Sequence, residues 1–162
     1  METEFQQLSI QIGQILNKKG FTIATAESCT GGLLAHVLTG VSGSSDYFIG
    51  GVVAYSNQVK ESALGVQTDT LIKHGAVSSQ TAQKMAEGIR TKFHTTIGLS
   101  TTGIAGPTGG TPEKPVGLVW LGISTPEKTN TYECYFSGDR EVIQYQSVKE
   151  ILSQLLISLE NA

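Results

Sequence analysis

A buried strand that turns into a helix through polar residues and glycines is the feature that most constrains this chain. Residues 22–34 (TIATAESCTGGLL) begin with small and β-branched residues and end in an apolar helical pattern, with an acid, hydroxyls, a thiol and two glycines between. In open α/β sheets ligands bind at the carboxyl ends of the strands. The following helix starts with free backbone N–H groups that suit a phosphate or a developing oxyanion. We therefore predict that the chemistry takes place here.

Composition and charge narrow the class of protein. The chain has 162 residues, with 11 Lys and Arg against 14 Asp and Glu and a formal net charge of −3. This length fits one domain with a sizeable core, and the balanced charge argues against nucleic acid or an anionic membrane as the main partner. No apolar run is long enough to span a bilayer, the acidic start is unlike a secretory signal, and two Cys and three His show no metal-ligand spacing. These features predict a cytoplasmic, metal-free globular protein.

Hydrophobic periodicity predicts alternating helices and strands. The pattern indicates one domain over residues 1–162, a three-layer α/β/α sandwich with a mixed, mainly parallel sheet. Thr3 is expected to form a capping box with Gln6, and Val142 is expected in the buried stripe of the last helix. The predicted helices lie at about 3–19, from 29 onward, at 78–94 and from 140 to the end, with short helices in 62–75; the predicted strands lie at about 22–26, 49–55, 96–101, 116–124 and 129–136.

Three predicted strands end in polar or glycine-rich segments, after Ala26, Ala54 and Thr101. Taken singly, each segment is as readily an ordinary turn, because Gly, Ser and Asn are common turn residues. If the strands are parallel neighbours, all three ends meet at one edge of the sheet. Their common placement predicts a site.

Ser28 has two interpretations at the first strand end. It is either the cap of the following helix or an attacking hydroxyl beside oxyanion-stabilising N–H groups. Cys29 is a rival nucleophile, because a helix N-terminus lowers a thiol pKa, or it is an inert buried thiol. The histidines lie within a helix pattern, before a glycine and at a helix end, which argues against a Ser-His-Asp triad, and no G-x-S-x-G elbow surrounds Ser28.

Lys60, after the second strand, is the better candidate for a base. A buried lysine loses its proton readily, and Tyr55 at the same strand end is placed to relay the proton or to orient the amine. From the residues alone, a lysine that merely solvates a helix face remains the commoner outcome.

Residues 102–115 (TGIAGPTGGTPEKP) form the most irregular segment. Its glycines resemble a loop that wraps a phosphate or a sugar, although no Gly-Lys-Ser/Thr follows and the dinucleotide fingerprint is absent. Three prolines stiffen the loop and favour a preformed pocket wall. Arg140, at the start of the last helix, is either an anion ligand or an ordinary surface arginine.

Five motifs occur together in this order: AESCTGG at 26–32, VAYSNQVK at 53–60, TGIAGPTGG at 102–110, KPVGLV at 114–119 and GDR at 138–140. On these motifs the chain resembles the C-terminal domain family of the competence/damage-inducible protein CinA, which includes stand-alone nicotinamide-nucleotide amidohydrolases. The resemblance runs from about Phe5 to the last helix. The N-terminal domain of full-length CinA has no counterpart, so the single-domain form is expected.

The resemblance implies hydrolysis of the carboxamide of nicotinamide mononucleotide to nicotinic acid mononucleotide and ammonia, in pyridine nucleotide recycling. It implies Ser28 as nucleophile, Lys60 as base and Tyr55 as assisting hydroxyl, with the backbone after Ser28 forming an oxyanion hole. It implies no metal or organic cofactor, and a homodimer or higher homo-oligomer. The implied substrate-binding residues are Glu27, Thr30, Gly31, Gly32, Thr102, Gly103, Ala105, Gly106, Thr108, Gly109, Gly110 and Arg140.

One position departs from the family pattern. Family members usually carry a second arginine a few residues after Gly-Asp-Arg, where this chain has Gln144. If that arginine holds a phosphate or a subunit contact, affinity or assembly differs here. Two alternative functions stay open: a pyridine-nucleotide-binding module without turnover, and a Ser-Lys amidase of a different amide.

Overall fold

The computed structural model describes the backbone of residues 2–161 and the side chains of residues 4–161, and it alternates helices and strands as the periodicity predicts. The capping box expected from Thr3 lies outside the described side chains. The helices are α1 Glu2–Lys19, α2 Leu33–Thr39, α3 Asn57–Leu64, α4 Thr68–His74, α5 Ser79–Phe93 and α6 Arg140–Glu160, with a short 3-10 helix at Ser44–Asp46. The strands are β1 Ile23–Glu27, β2 Phe48–Val53, β3 Ile97–Gly103, β4 Leu118–Ser124 and β5 Thr129–Tyr135.

The five strands form one sheet in the order β2-β1-β3-β4-β5. Strand β1 is parallel to both of its neighbours, β2 and β3, whereas β4 is antiparallel to β3 and to β5. Every strand except β4 therefore runs in the same direction. The predicted mixed, mainly parallel sheet is confirmed, and so is the β4–β5 hairpin.

Helices cover both faces of this sheet and bury an apolar cluster on each side. One cluster joins α1, α2 and α6 through residues such as Ile12, Leu34 and Leu152, and the other joins α3 and α5 through residues such as Leu64 and Met85. Strand β1 lies between them and is buried along its whole length. The three-layer α/β/α sandwich is confirmed. Strand β1 is the buried strand between β2 and β3, so its carboxyl end lies at an edge of the sheet with β2 on one side and β3 on the other.

Three local predictions need correction. Helix α2 begins at Leu33 rather than at about Cys29, because Gly31 and Gly32 adopt positive φ angles of 60° and 105° that interrupt a helix. Helix α3 begins at Asn57, earlier than expected, because the Ser56 hydroxyl caps it. This hydroxyl accepts a hydrogen bond from the backbone N–H of Val59. Lys60 therefore lies on a helix, in its first turn.

The third correction concerns the buried stripe of α6. Val142 is 40% exposed, and its neighbour Ile143, at 1% exposure, occupies the buried position instead. The residues that follow on the buried face are spaced at helical intervals from Ile143. Only this first position of the stripe changes, because Val148, Ile151, Leu152, Leu155 and Leu159 are buried as the apolar pattern predicts.

Candidate active site

The carboxyl ends of β1, β2 and β3 meet at one edge of the sheet, because the three strands are parallel neighbours. A cavity of about 310 Å³ lies there. Its lining residues are Ser28, Cys29, Tyr55, Asn57, Lys60, Ala76, Val77, Thr102, Gly103, Ile104, Ala105, Gly106, Thr108, Gly109 and Arg140.

At the floor of this cavity Ser28 and Lys60 are in direct contact. The Lys60 Nζ atom lies 3.0 Å from Ser28 Oγ, and the two residues are only 1% and 8% exposed. Nζ also donates to the backbone carbonyls of Ala54, at 3.0 Å, and Tyr55, at 3.4 Å. The interpretation of Lys60 as a lysine that solvates a helix face, which the residues alone favoured, is therefore wrong.

The surroundings of Lys60 favour the neutral amine. Burial lowers the pKa of Lys60, since desolvation penalises the charged form, and charge on Cys29 is the cause that acts in the opposite direction. No carboxylate among residues 4–161 forms a salt bridge with this lysine. A neutral amine has two N–H bonds and one lone pair. With the N–H bonds directed to the Ala54 and Tyr55 carbonyls, the lone pair is left to accept the Ser28 hydroxyl proton.

Cys29 has the properties of an inert thiol. It is 5% exposed, it is not part of a disulfide, and burial raises the pKa of its thiol to about 12. A thiol with such a pKa is protonated at neutral pH, whereas the reactive form is the thiolate. A protonated Cys29 also places no charge beside Lys60.

Glu27 and Thr30 have structural roles and do not line the cavity. The Glu27 carboxylate, in a residue 1% exposed, accepts hydrogen bonds from the Thr30 hydroxyl at 2.6 Å and from the backbone N–H groups of Gly32, Leu34 and Ala35 at 3.2, 2.8 and 3.0 Å. An internal carboxylate thus occupies the positive N-terminal end of α2. The expectation that this helix end is free for a substrate anion is not met.

In the turn after Ser28, some backbone N–H groups donate a hydrogen bond to another residue and others do not. Gly31 N–H donates to the Ser28 carbonyl at 3.1 Å, and Gly32 N–H is taken by the carboxylate described above. The Thr30 amide has no acceptor in the part of the chain that the structure describes, and the Cys29 amide interacts only with its own thiol sulfur. Of these residues only Cys29 lines the cavity, so its N–H is the candidate oxyanion donor.

Tyr55 and Arg140 meet at the mouth of the cavity. Arg140 donates from Nη2 to the Tyr55 hydroxyl at 2.6 Å and from Nη1 to the Gly106 carbonyl at 2.7 Å. The Tyr55 side chain is 59% exposed, and its hydroxyl bonds to Arg140 rather than to Lys60. Tyr55 orients the lysine through its backbone carbonyl, so a proton relay through the phenol is not supported.

The glycine-rich loop forms one wall of the cavity and is tied down at both ends. Thr102 Oγ1 donates to the Ala76 carbonyl at 2.7 Å, and Lys114 Nζ donates to the His74 carbonyl at 2.6 Å. Gly106 has a φ of 78°, and a Cβ atom there would lie 2.5 Å from a Val116 methyl group. The loop is thus a preformed wall, as its prolines predict. Gly110, by contrast, does not line the cavity.

Three lining residues escaped the sequence reasoning: Asn57, Ala76 and Val77. Asn57 lies within the polar segment that follows β2, which the sequence leaves open between an ordinary turn and part of a site. Ala76 and Val77 carry no chemical signal; they lie between α4 and α5, where the Ala76 carbonyl accepts the hydrogen bond from Thr102. All three histidines are exposed and none lines the cavity.

Other surface depressions are larger, at about 490 and 550 Å³, but lie beside α1 and contain no nucleophile paired with a base. The helices within the described residues are all too short or too polar to cross a membrane. Across the same residues, no three His, Cys, Asp or Glu side chains are grouped as metal ligands would be.

A family model described as the CinA C-terminal domain matches residues 5–159. This chain belongs to the CinA C-terminal domain family. A relative named competence-damage inducible protein, from Caldanaerobacter subterraneus, is 54% identical over 147 residues, which are 91% of this chain and 35% of the relative. A CinA-like protein of Salinibacter ruber is 53% identical over 82% of this chain and 32% of its own length. This CinA domain spans about a third of the curated relatives it matches.

Solved structures of CinA proteins have the same fold. The competence/damage-inducible protein of Agrobacterium tumefaciens matches this CinA domain with a TM-score of 0.93 and 40% identity, over 97% of this chain and 96% of that one. A CinA superfamily protein of Klebsiella pneumoniae matches with a TM-score of 0.94 and 33% identity, over 98% and 99% of the two chains.

Proposed function

We propose that this CinA domain is a Ser-Lys amidohydrolase that converts nicotinamide mononucleotide to nicotinic acid mononucleotide and ammonia. The observation that carries the proposal is the 3.0 Å contact between the Lys60 amine and the Ser28 hydroxyl. The amine is buried and forms no salt bridge with residues 4–161. An amide needs an activated nucleophile, an oxyanion site and a proton for its departing nitrogen, and this cluster offers a group for each. The choice of substrate comes from the family resemblance.

In the acylation step, neutral Lys60 takes the Ser28 hydroxyl proton while Oγ bonds to the carboxamide carbon. The carbonyl π electrons move to oxygen, and the backbone N–H of Cys29 stabilises that oxyanion. The Lys60 ammonium then gives its proton to the amide nitrogen, the C–N bond breaks and ammonia leaves. The product of this step is a nicotinoyl ester on Ser28.

In the deacylation step a water molecule attacks the ester carbon and gives a proton to Lys60. When the tetrahedral intermediate collapses, the C–O bond to Ser28 breaks and Oγ receives the proton back from Lys60. The acid product leaves, and both residues return to their starting states. One lysine thus serves as base and then acid in each half of the reaction.

Arg140 is the cation we assign to the substrate phosphate. Its guanidinium has five N–H donors, of which Tyr55 and Gly106 use two in the structure. The backbone of residues 103–109 supplies the adjoining wall for the nucleotide. We further propose that the reaction runs in the cytoplasm, where NAD-consuming reactions release the substrate, and that the protein acts as a homo-oligomer.

The deciding experiment measures ammonia release from nicotinamide mononucleotide by purified, chelator-treated protein and by the Ser28→Ala and Cys29→Ala variants. We expect release by the wild type, loss of at least about 10³-fold in Ser28→Ala, and nearly full activity in Cys29→Ala, since its thiol is protonated. The opposite pattern in the two variants would make Cys29 the nucleophile.

The same samples separate the alternative functions. If none of the three proteins releases ammonia but the nucleotide still raises the melting temperature of the wild type, the domain binds pyridine nucleotides without turning them over. If the nucleotide neither reacts nor stabilises, a different amide is the substrate.

A further inference from the structure

We infer that Lys114 is a positioning residue that holds the glycine-rich loop against the segment between α4 and α5, and so keeps the cavity at the width that binds substrate. Its Nζ atom donates to the His74 carbonyl at 2.6 Å, 40 positions earlier in the sequence. Lys114 does not line the cavity, so it acts through the two walls that it joins. The inference rests on the proposed function, because its kinetic test uses the proposed substrate.

The bond from Lys114 joins two walls of the cavity. One wall is the glycine-rich loop, which lines the cavity as far as Gly109, and the other includes Ala76 and Val77. Lys114 is five residues after Gly109, and His74 is two residues before Ala76. The bond therefore ties the two walls together a few residues away from the positions that line the cavity.

Few other hydrogen bonds hold this loop to the rest of the domain. Among the described residues, only two hydrogen bonds connect residues 105–114 to anything outside them. One is the bond from Lys114 to His74, and the other is the bond from Arg140 to the Gly106 carbonyl. Without the lysine amine, Gly106 is the only hydrogen-bonded tie of these residues.

The opposite wall is held more firmly. The Gly75 carbonyl accepts hydrogen bonds from the hydroxyls of Ser78, at 3.0 Å, and Thr81, at 2.7 Å. The Ala76 carbonyl accepts from the hydroxyl of Thr102 at 2.7 Å. The loop, which has fewer ties, is therefore the wall that moves when the lysine bond is lost.

The expected effect is on substrate binding and not on the chemical step. Ser28 N–H donates to a β3 carbonyl, and the Lys60 amine donates to carbonyls just after β2, so neither residue depends on the loop for its position. An apparent dissociation constant rises by the inverse of the fraction of molecules that are competent to bind. If Lys114→Met leaves the wall in place in about a tenth of the molecules, KM rises roughly tenfold. The value of kcat should stay within about twofold, because bound substrate selects the closed wall.

The kinetic test compares Lys114→Met with Lys114→Arg and Lys73→Met. Methionine has no donor, whereas arginine keeps the charge and has N–H donors for the His74 carbonyl, so Lys114→Arg should bring KM back to within about threefold of wild type. Lys73 is the matched control, since it is exposed at the same end of α4 and its side chain forms no hydrogen bond or salt bridge with the described residues. Lys73→Met removes the same charge and should leave KM unchanged.

Amide hydrogen exchange measures the loop directly and needs no substrate. Thr111 N–H donates to the Lys114 carbonyl at 2.8 Å, and Lys114 N–H donates to the Thr111 hydroxyl at 3.0 Å, so both amides are bonded while the loop is in place. In Lys114→Met, peptides that cover residues 105–114 should exchange at least about fivefold faster than in wild type, whereas peptides of β1 should exchange at the wild-type rate. Lys73→Met should exchange as wild type does throughout.

Three kinetic outcomes would overturn the inference: KM of Lys114→Met within about twofold of wild type, a fall in kcat at unchanged KM, or an equal rise of KM in Lys73→Met. If wild type does not hydrolyse nicotinamide mononucleotide, the proposed substrate is wrong and hydrogen exchange decides alone. Faster exchange of residues 105–114 in Lys114→Met then supports the role of Lys114, and unchanged exchange overturns it. If Lys114→Met does not fold, Lys114→Ala, which also has no donor, replaces it in both measurements.

Discussion

At the scale of single residues, the proposed mechanism depends on the burial of Lys60. Lys60 is 1% exposed, its amine contacts carbonyl and hydroxyl oxygens, and no carboxylate of residues 4–161 forms a salt bridge with it, so desolvation lowers its pKa. The base is active only without its proton. A lowered pKa therefore moves the active form toward neutral pH, where an ordinary lysine remains charged.

We expect the pH dependence of kcat/KM to follow this ionisation. The rate should rise with pH through one apparent pKa below the usual lysine value of about 10.4, and level off above it. In Lys60→Arg the charge and donors are kept but the group cannot lose its proton, so kcat should fall at least about 10²-fold and the ionisation should vanish. Stopped or continuous ammonia assays across pH measure both. An unchanged profile in Lys60→Arg would show that another group is the base.

Sequence reasoning identified the serine and the lysine but left their relation open. Both stand at predicted strand ends, which is a local signal. Their contact depends on where α3 places its first turn against β1, 32 residues earlier, and no local pattern reports that. The same limit explains Tyr55, whose hydroxyl was expected near the lysine and instead bonds to Arg140, 85 residues later.

At the scale of secondary-structure elements, Glu27 is the anchor of the turn that carries Ser28, the proposed nucleophile. Its carboxylate joins the end of β1 to the start of α2 through four hydrogen bonds. Bonds between a carboxylate and N–H donors are stronger than neutral ones and are further favoured at a helix N-terminus. Glu27 therefore stabilises the reaction-site turn without entering the cavity.

Glu27→Gln should destabilise the fold by about 1–3 kcal/mol, because the amide replaces one acceptor oxygen by a donor that faces backbone N–H groups. The free energy of unfolding from urea titration measures this. Glu133→Gln, an exposed residue on β5, is the control and should change it by less than about 0.5 kcal/mol. If both variants unfold at the wild-type urea concentration, the carboxylate is not an anchor.

The order and type of the elements were predicted well, because the longer helices and the strands have clear periodicity. The errors lie at element ends. Helix α2 starts late because two glycines with positive φ follow Thr30, and periodicity does not register φ. Glu27 was expected to contact the substrate and instead caps α2. A sequence does not distinguish a carboxylate that points into a cavity from one that turns back to cap a helix.

At the scale of the whole molecule, the two edges of the sheet differ in character. Strand β2 is one edge, and its outward residues Ile49 and Val53 are 50% and 49% exposed with no charged residue in the strand. The other edge, β5, carries Glu133. Uncharged apolar edges pair readily with another strand, and natural proteins usually block them with charges.

We expect the homo-oligomer implied by the resemblance to form through β2. Antiparallel pairing centred on Gly51 sets Ile49 of one copy against Val53 of the other, and such β-branched cross-strand pairs are favourable. The double variant Ile49→Lys, Val53→Lys should therefore sediment as a monomer at concentrations where wild type is associated. Ile72→Lys, on α4 and 77% exposed, is the control and should stay associated. A monomeric wild type, or an associated double variant, would exclude this edge.

The pairing of an amine with a hydroxyl 3.0 Å away also has a practical consequence for chemical probes. An aldehyde condenses with an unprotonated amine, and a boronic acid forms a reversible bond with an alcohol. A small aromatic reagent that carries both groups side by side can engage Lys60 and Ser28 together. The lowered pKa of Lys60 and its serine neighbour make this pair a point of attachment for a label or an inhibitor scaffold.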